Sequence, residues 1–127
     1  MGLEFTITMK AENPQTHFRR GLLPLAILSL LKQKDMYGYE LVQEMERASD
    51  GQLVTQEGSL YPVLYKLQEL GYVTDQRVLV GKRMTRVYYH LEPAGEVYLD
   101  ELLQEYLAFT QGFFKLIESE GEVNEQS

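Results

Sequence analysis

A long apolar stripe in the last third of the chain limits the possible folds more than any other feature. Pro93 suits the first turn of a helix, where its missing N–H has no intrahelical partner. From residue 99 onward, large apolar side chains recur at alternating spacings of three and four residues, which is the periodicity of one helix face. A helix over 93–119 would be roughly 40 Å long at 1.5 Å per residue. We predict that a second copy covers the stripe, with these residues at the dimer interface: Leu99, Leu102, Leu103, Tyr106, Phe109, Phe113, Leu116 and Ile117.

The charges are distributed unevenly, and their net value of −7 is by itself unfavourable for a nucleic-acid binder. Residues 1–90 contain 11 basic and 10 acidic side chains, whereas residues 91–127 contain 1 basic and 9 acidic ones. Within the first part, a stretch of ten residues has four basic side chains and no acidic one: Arg77, Lys82, Arg83 and Arg86. This basic stretch is a candidate contact for nucleic-acid phosphates.

Three helices are predicted before residue 72. The first, central helix covers the apolar run that ends at Lys32, with Pro24 in its first turn, where proline is tolerated. The second is about three turns long and ends at Gly51. The third turns Leu60, Val63, Leu64 and Leu67 inward and ends before Gly71. Its N-cap is either Thr55 or Ser59, and only the second alternative keeps Pro62 early in the helix.

The residues after Gly71 are typical of a β-hairpin, because two runs rich in valine and tyrosine flank a turn that contains a glycine. In the second run, alternation predicts that Val87, Tyr89 and Leu91 share one face and that Arg86, Tyr88 and His90 share the other. Because the adjacent tyrosines point to opposite faces, we expect them to pack in the hairpin rather than to stack on bases.

The element order predicts a mostly α protein with a small β-hairpin (α+β), a winged helix-turn-helix followed by a long C-terminal dimerisation helix. Four segments are expected. Residues 1–15 form a flexible N-terminal arm, residues 16–91 the winged-helix domain, residues 92–118 the dimerisation helix and residues 119–127 a disordered acidic tail.

The predicted partner is double-stranded DNA, with the third helix in the major groove. Gln56 and Ser59 are candidates for reading bases, whereas Tyr61, Tyr65 and Lys66 are candidates for phosphate contacts. Lys82 and Arg83 at the hairpin tip would meet phosphates or the neighbouring minor groove, supported by Arg86. Tyr39 on the second helix is equally compatible with the core and with a phosphate contact. A twofold protein requires two half-sites about one helical turn apart, or a multiple of this.

Four segments carry a family resemblance. They are Tyr37-Gly38-Tyr39-Glu40, Gly58-Ser59-Leu60-Tyr61-Pro62-Val63-Leu64, Leu67-Gln68-Glu69-Leu70-Gly71 and Arg86-Val87-Tyr88-Tyr89-His90-Leu91, which Gly95 follows. In this order and before a long helix, they closely resemble the PadR family of transcriptional regulators over about residues 20–117. The short helical tail resembles that of the smaller subgroup, which includes regulators of multidrug transport genes. The resemblance implies a homodimeric repressor on an inverted repeat near a promoter, released by a small aromatic or hydrophobic compound.

The sequence departs from this family pattern at three positions. Glu92 replaces the usual threonine at the start of the last helix, and Tyr37 stands where histidine is common. Tyr106 falls where some small members have a tryptophan that holds flat drugs at the dimer axis. Tyr106 and Phe109 could still line an aromatic ligand cavity there, although packing between protomers is the simpler interpretation of these side chains.

Other functional classes find little support. Neither a glycine-rich phosphate loop nor a Ser, His and Asp grouping points to an enzyme. The two histidines, His17 and His90, lie on separate elements and the chain has no cysteine, so neither a metal nor a cofactor is expected. No apolar run is long enough to span a bilayer, and a cysteine-free chain without a secretory signal is expected in the cytoplasm. The alternative is a protein-interaction adaptor that keeps the winged-helix fold without operator binding.

Overall fold

A computed structural model describes residues 21–126 of the protein. The elements in chain order are helix α1 (Leu23–Gln33), strand β1 (Met36–Tyr37), helix α2 (Gly38–Ala48), helix α3 (Glu57–Glu69), strand β2 (Val73–Val80), strand β3 (Met84–Leu91) and helix α4 (Pro93–Gln126). The predicted α+β architecture with a long C-terminal helix is confirmed. The predicted arm at residues 1–15 lies outside the described residues.

Helix α1 is enclosed by the other elements, as its nearly continuous apolar sequence predicts. Five of its residues are buried, and Pro24 stands in the first turn, where it breaks no backbone hydrogen bond. Around α1 the core is completed by Leu41 and Met45 of α2, by Leu60, Leu64 and Leu67 of α3, and by Met36, Val73, Tyr89 and Leu99. Each fully buried side chain of this size stabilises the fold by about 1.5–3 kcal/mol, so this core holds α3 in place.

The N-cap of helix α3 lies between the two predicted cap positions. Its N-cap is Gln56, whose extended backbone (φ −108°, ψ 156°) ends the loop from α2, so the predictions of Thr55 and Ser59 are both wrong. The carbonyl of Gln56 accepts hydrogen bonds from the amides of Ser59 and Leu60 at 3.0 and 3.1 Å. Pro62 consequently lies in the second turn and leaves the carbonyl of Gly58 without its usual donor. Gly58 is exposed, so water can satisfy that carbonyl.

The C-terminus of α3 is where the sequence places it. Gly71 has a φ of +81°, a left-handed conformation that favours glycine. The amide of Tyr72 donates to the carbonyl of Leu67, and that of Gly71 to the carbonyl of Gln68, both at 3.0 Å. This paired pattern satisfies two carbonyls that the end of the helix would otherwise leave open.

The hairpin is part of a three-stranded antiparallel sheet in the order β1-β3-β2. Sequence analysis missed β1, because two residues are too few to show a strand periodicity. Strand β1 pairs Met36 with Tyr89 and Tyr37 with Tyr88. The predicted alternation in β3 is confirmed: Tyr89 is buried against the core, whereas Tyr88 lies half-buried on the outer face of the sheet.

Only the first turns of α4 pack against the winged-helix domain. Leu99 is 1% exposed and Leu102 is half-buried, and from Leu103 to Ser119 every side chain except Thr110 is exposed. Leu99, predicted at the dimer interface, is thus a core residue of its own chain. The helix also continues through Gln126, so residues 119–126 are helical rather than the predicted disordered tail. Glutamate and glutamine are good helix formers, and no proline interrupts this run.

Candidate nucleic-acid interface

Burial of three leucines turns a polar face of α3 towards solvent. Because Leu60, Leu64 and Leu67 face the core, the opposite side of the helix exposes Ser59, Tyr65 and Lys66, and Gln56 is exposed at the N-cap. The Lys66 ammonium lies 3.7 Å from the carboxylate of Glu69 in a pair whose two side chains are both well exposed. Such a pair contributes little stability, so the ammonium can exchange this partner for a phosphate. The four residues predicted to face DNA are therefore accessible to solvent, and their contact with DNA stays a prediction.

Tyr61 is held more tightly than the other predicted contacts of α3. Its hydroxyl donates to the carboxylate of Glu57 at 3.2 Å, and its ring stacks on Tyr65 with centroids 6.0 Å apart. The same hydroxyl lies so close to Gly38 at the start of α2 that a Cβ there would collide with it. Burial, followed by the charge of Glu57, raises the pKa of Tyr61. These contacts make Tyr61 a brace between α2 and α3 and explain the glycine between Tyr37 and Tyr39.

The basic stretch divides between the two faces of the hairpin. Lys82 and Arg83 are exposed in the turn that Gly81 opens with a φ of +74°. Arg77 is exposed on the same face as the buried Val73, because residues at even separation along a strand share a face. Three of the four cations are therefore free to meet phosphates at the edge or tip of the hairpin, which we call the wing (73–91).

Arg86 has a different environment from the other three cations. It points to the outer face of the sheet, where its guanidinium carbon lies 4.4 Å from the centroid of the Tyr37 ring. The Tyr37 ring in turn meets the Tyr88 ring edge to face at 5.5 Å. A cation over an aromatic face is attracted by the ring electrons, so Arg86 is fixed to the sheet. This contact gives Tyr37 a role that the sequence did not indicate, whereas the supporting role predicted for Arg86 at the DNA stays a prediction.

Two apolar side chains at the wing tip were not singled out by sequence analysis. Leu79 is 66% exposed and Met84 is 58% exposed, each within two residues of the turn. They project from opposite faces, because Leu79 pairs with Thr85 and Met84 pairs with Val80. Their position beside Lys82 and Arg83 resembles the apolar wedges that some proteins place in the minor groove. The sequence did contain a signal for these two residues, because each lies next to a turn that carries two basic side chains.

Tyr39 is exposed at the first turn of α2, so the core alternative for this residue is wrong. Because Tyr39 is exposed, the other predicted role, a contact with a DNA phosphate, remains open to it. The partial positive charge at a helix N-terminus favours an anion near this position. Next to it, Lys34 and Glu40 form a 2.9 Å ion pair, and the hydrogen bond to Glu40 raises the pKa of Lys34.

His90 and Asp35 form a hydrogen-bonded pair beside the sheet, with 2.7 Å between Nδ1 and the carboxylate. This bond, and then the charges of Asp35 and Glu92, raise the pKa of His90 above its ordinary 6.5. Because the folded-state pKa is the higher one, the pair stabilises the fold below about pH 6.5 and loses that effect as pH rises through the folded-state pKa. Both side chains are about half exposed, so the effect on stability is small.

We expect Asp35→Asn to lower the pKa of His90 towards 6.5, as followed by the NMR titration of its imidazole protons. Asp50→Asn is the control, since Asp50 is not among the groups that shift this pKa. An unchanged His90 titration in Asp35→Asn would show that the pair does not form in solution.

The remaining site predictions concern metals and membranes. Across residues 21–126, no group of three or more His, Asp or Glu side chains is arranged to hold a metal ion. None of the helices in that range combines the length and the apolar composition needed to cross a membrane.

The exposed part of α4 has a concentrated apolar surface, which we call the α4 patch. Phe109 is 74% exposed, and its ring lies parallel to that of Phe113, with centroids 6.4 Å apart. The other large apolar side chains of the patch are Leu103, Tyr106, Leu107, Phe114, Leu116 and Ile117. Scattered apolar residues are normal on a protein surface, but a contiguous patch of this kind marks an interaction site.

A helical core, a third helix with a solvent-facing polar side and a basic β-wing define the winged-helix class of DNA-binding proteins. Sequence and structure comparisons agree with this class. The transcriptional regulator PadR-like family matches residues 27–101, more than half of the chain. The chain therefore belongs to the PadR-like family of transcriptional regulators. This family confirms the prediction that the protein is a transcriptional regulator rather than an enzyme.

Individual relatives support the assignment. The transcriptional regulator YqjI of Escherichia coli is 36% identical over 69 residues, which are 54% of this chain and 33% of the relative, so the match spans about a third of that protein. A transcriptional regulator from Clostridium thermocellum has a similar structure, with a TM-score of 0.71, 29% identity and coverage of 79% of this chain and 94% of that one. Bacillus subtilis PadR in complex with operator DNA gives a TM-score of 0.61, with 26% identity over 65% of this chain and 46% of that one.

Proposed function

We propose that the protein is a homodimeric repressor that binds an inverted-repeat operator. The observation that carries the DNA part of the proposal is the exposure of Ser59, Tyr65 and Lys66 on the solvent side of α3 and of Gln56 at its N-cap. A helix fits the major groove, and these side chains offer amide, hydroxyl and ammonium groups to base edges and phosphates. The solved complex of B. subtilis PadR with operator DNA supports operator binding by this fold.

The wing supplies the second part of the DNA contact in this proposal. Lys82, Arg83 and Arg77 are exposed there, in a chain whose acidic excess lies after residue 90. Because the excess of acidic residues lies outside the basic wing, a protein with a net charge of −7 can still approach a polyanion. Tyr39 at the start of α2 would add a phosphate contact.

The α4 patch supports the homodimer. Its apolar side chains lie beyond the part of α4 that the winged-helix domain covers, so the chain alone leaves them in water. A second copy covers an identical patch by twofold symmetry, which removes both surfaces from water at once. The interface proposed from the structure begins at Leu102 and includes Leu103, Tyr106, Phe109, Phe113, Leu116 and Ile117.

Release by a small aromatic or hydrophobic compound completes the proposal. Tyr106 and Phe109 are exposed on one part of the α4 patch, where flat rings could stack against them. A compound bound between two copies would act on the DNA affinity through the relative placement of the two winged-helix domains.

Selection of bound fragments from genomic DNA tests the proposal. We expect enrichment of an inverted repeat whose half-sites are about one helical turn apart, or a multiple, and lower recovery when a panel of planar aromatic compounds is present. Sedimentation at micromolar concentration should show a dimer. A monomer would exclude the homodimer, and failure to enrich any sequence at low salt would favour an adaptor without an operator. Recovery that no compound lowers would remove the ligand from the proposal.

A further inference from the structure

The junction between the winged-helix domain and α4 is built around one residue, Tyr72. Its carbonyl accepts a hydrogen bond from the amide of Glu92 at 3.0 Å. The same carbonyl lies against Gly95 so closely that no Cβ fits between them. The ring of Tyr72 stacks on the ring of Tyr98, with centroids 4.4 Å apart and planes only 14° from parallel. Backbone and side chain of Tyr72 therefore both hold the first turns of α4.

The stack lies on one flank of α4, and the opposite flank is held weakly. At 100° per residue, Leu99 points into the core, while Tyr98 and Glu96 fall on opposite sides of it. The Glu96 carboxylate is 3.9 Å from the Lys32 ammonium, and each side chain is about half exposed. Water screens such a pair, so it resists little tilting of the helix. The tyrosine stack is the firmer of the two lateral contacts.

A small rotation at this junction has a large effect far from it. Across a domain of about 30 Å in diameter, a rotation of about 10° moves the far side by about 5 Å. Successive base pairs are about 3.4 Å apart along the DNA axis. An error of this size therefore places a reading helix more than one base pair away from its half-site.

We propose that Tyr72 and Tyr98 are positioning residues that set the angle between the winged-helix domain and α4, and with it the half-site spacing that the dimer accepts. The inference rests on the proposed function, because it requires two copies joined through the α4 patch. Neither ring needs to touch DNA, so their effect falls on spacing rather than on the affinity for one half-site.

The test is the affinity of the full-length protein for inverted repeats whose spacing changes in steps of one base pair, and for a single half-site. We expect the wild type to prefer one spacing over its neighbours by about tenfold or more. Tyr98→Leu keeps apolar bulk but removes the flat ring, and should reduce the preference to about twofold while half-site affinity changes by less than about twofold. Tyr98→Phe should retain the wild-type preference. Glu96→Gln on the opposite flank is the matched control and should also retain it.

A second measurement needs no DNA. The chain has no cysteine, so Glu69→Cys, at the exposed end of α3, gives one spin-label site in each protomer. We expect a narrow distance distribution between the two labels, broadened by Tyr98→Leu and not by Glu96→Gln. Unchanged spacing preference or an unchanged distribution in Tyr98→Leu would overturn the inference while leaving the operator-binding dimer intact. A wild type that is monomeric, or that binds no operator, would instead refute the proposed function.

Discussion

Gly95→Ala should lower the free energy of unfolding by about 2–4 kcal/mol, because an alanine Cβ at this position enters space already occupied by backbone. The nearest atoms are the carbonyl oxygen of Tyr72, with which the Cβ collides, and Cδ1 of Leu91 at 2.7 Å. A flexible side-chain tip could turn away, but a carbonyl that also accepts the amide of Glu92 cannot do so without losing that hydrogen bond. The first turn of α4 must move instead.

Thermal unfolding followed by circular dichroism measures this change. We expect a fall in Tm of roughly 5–15 °C, compared at equal protomer concentration because dimers unfold in a concentration-dependent manner. Gly112→Ala in the same helix is the matched control, since beyond its chain neighbours and the local helix backbone no atom lies within 4 Å of the added Cβ. Alanine exceeds glycine in helix propensity by about 1 kcal/mol, so the control should raise Tm. Equal losses in both variants would show that α4 tolerates no change at glycine, and the close approach to Tyr72 would not be the cause.

Replacing both Lys82 and Arg83 by alanine should weaken operator binding by between about ten and a thousandfold at about 0.1 M salt. A dimer loses four positive charges in this double variant, two from each wing tip. If all four neutralise phosphates, the slope of log K against log salt becomes shallower by up to about 3.6, since each contact contributes about 0.9. The fold should be unaffected, because both side chains are exposed in a turn.

The matched control removes the same charge from elsewhere on the domain. Lys32 pairs with Glu96, and Arg47 pairs with Glu44 at 2.7 Å; both cationic side chains are exposed and belong to helices outside the wing. Lys32→Ala combined with Arg47→Ala therefore tests the effect of net charge alone, and we expect a nearly unchanged salt slope. If electrophoretic shift titrations at several salt concentrations gave the two double variants the same slope, the wing would not contact phosphate.

Periodicity predicted most elements of the fold, because each helix and strand presents one apolar face at a spacing that is visible in the chain. The central helix and the opposite orientations of Tyr88 and Tyr89 were predictable in this way. The end of α3 was predictable from the residue type, because glycine favours the left-handed conformation that Gly71 adopts. The predictions failed where an element is too short to show a periodicity, or where two residues are both suitable as the N-cap of a helix. Strand β1 has only two residues, and the start of α3 depends on a loop whose extended end at Gln56 excludes both hydroxyl-bearing candidates.

The sequence was enough to pick out basic and aromatic residues as candidates for the site, but it did not show which neighbours each of them contacts. A basic stretch of four cations is plain in the sequence, but only the sheet shows that Arg86 lies over Tyr37 and that Arg77 is on the opposite face. Likewise, Tyr61 and Tyr65 are four residues apart on one helix, yet Tyr61 is braced against Gly38 of α2 while Tyr65 is exposed. Such differences come from neighbours that are distant along the chain.

In helix α4, the features that the sequence determines differ clearly from those that only the tertiary structure decides. The order of its apolar residues is enough to predict a long amphipathic helix, because side-chain direction repeats every 3.6 residues whatever surrounds the helix. That same order cannot tell Leu99 from Phe109, since both belong to one stripe. Contact with α1 buries the first and leaves the second 74% exposed, because burial depends on which surfaces the folded chain brings within reach.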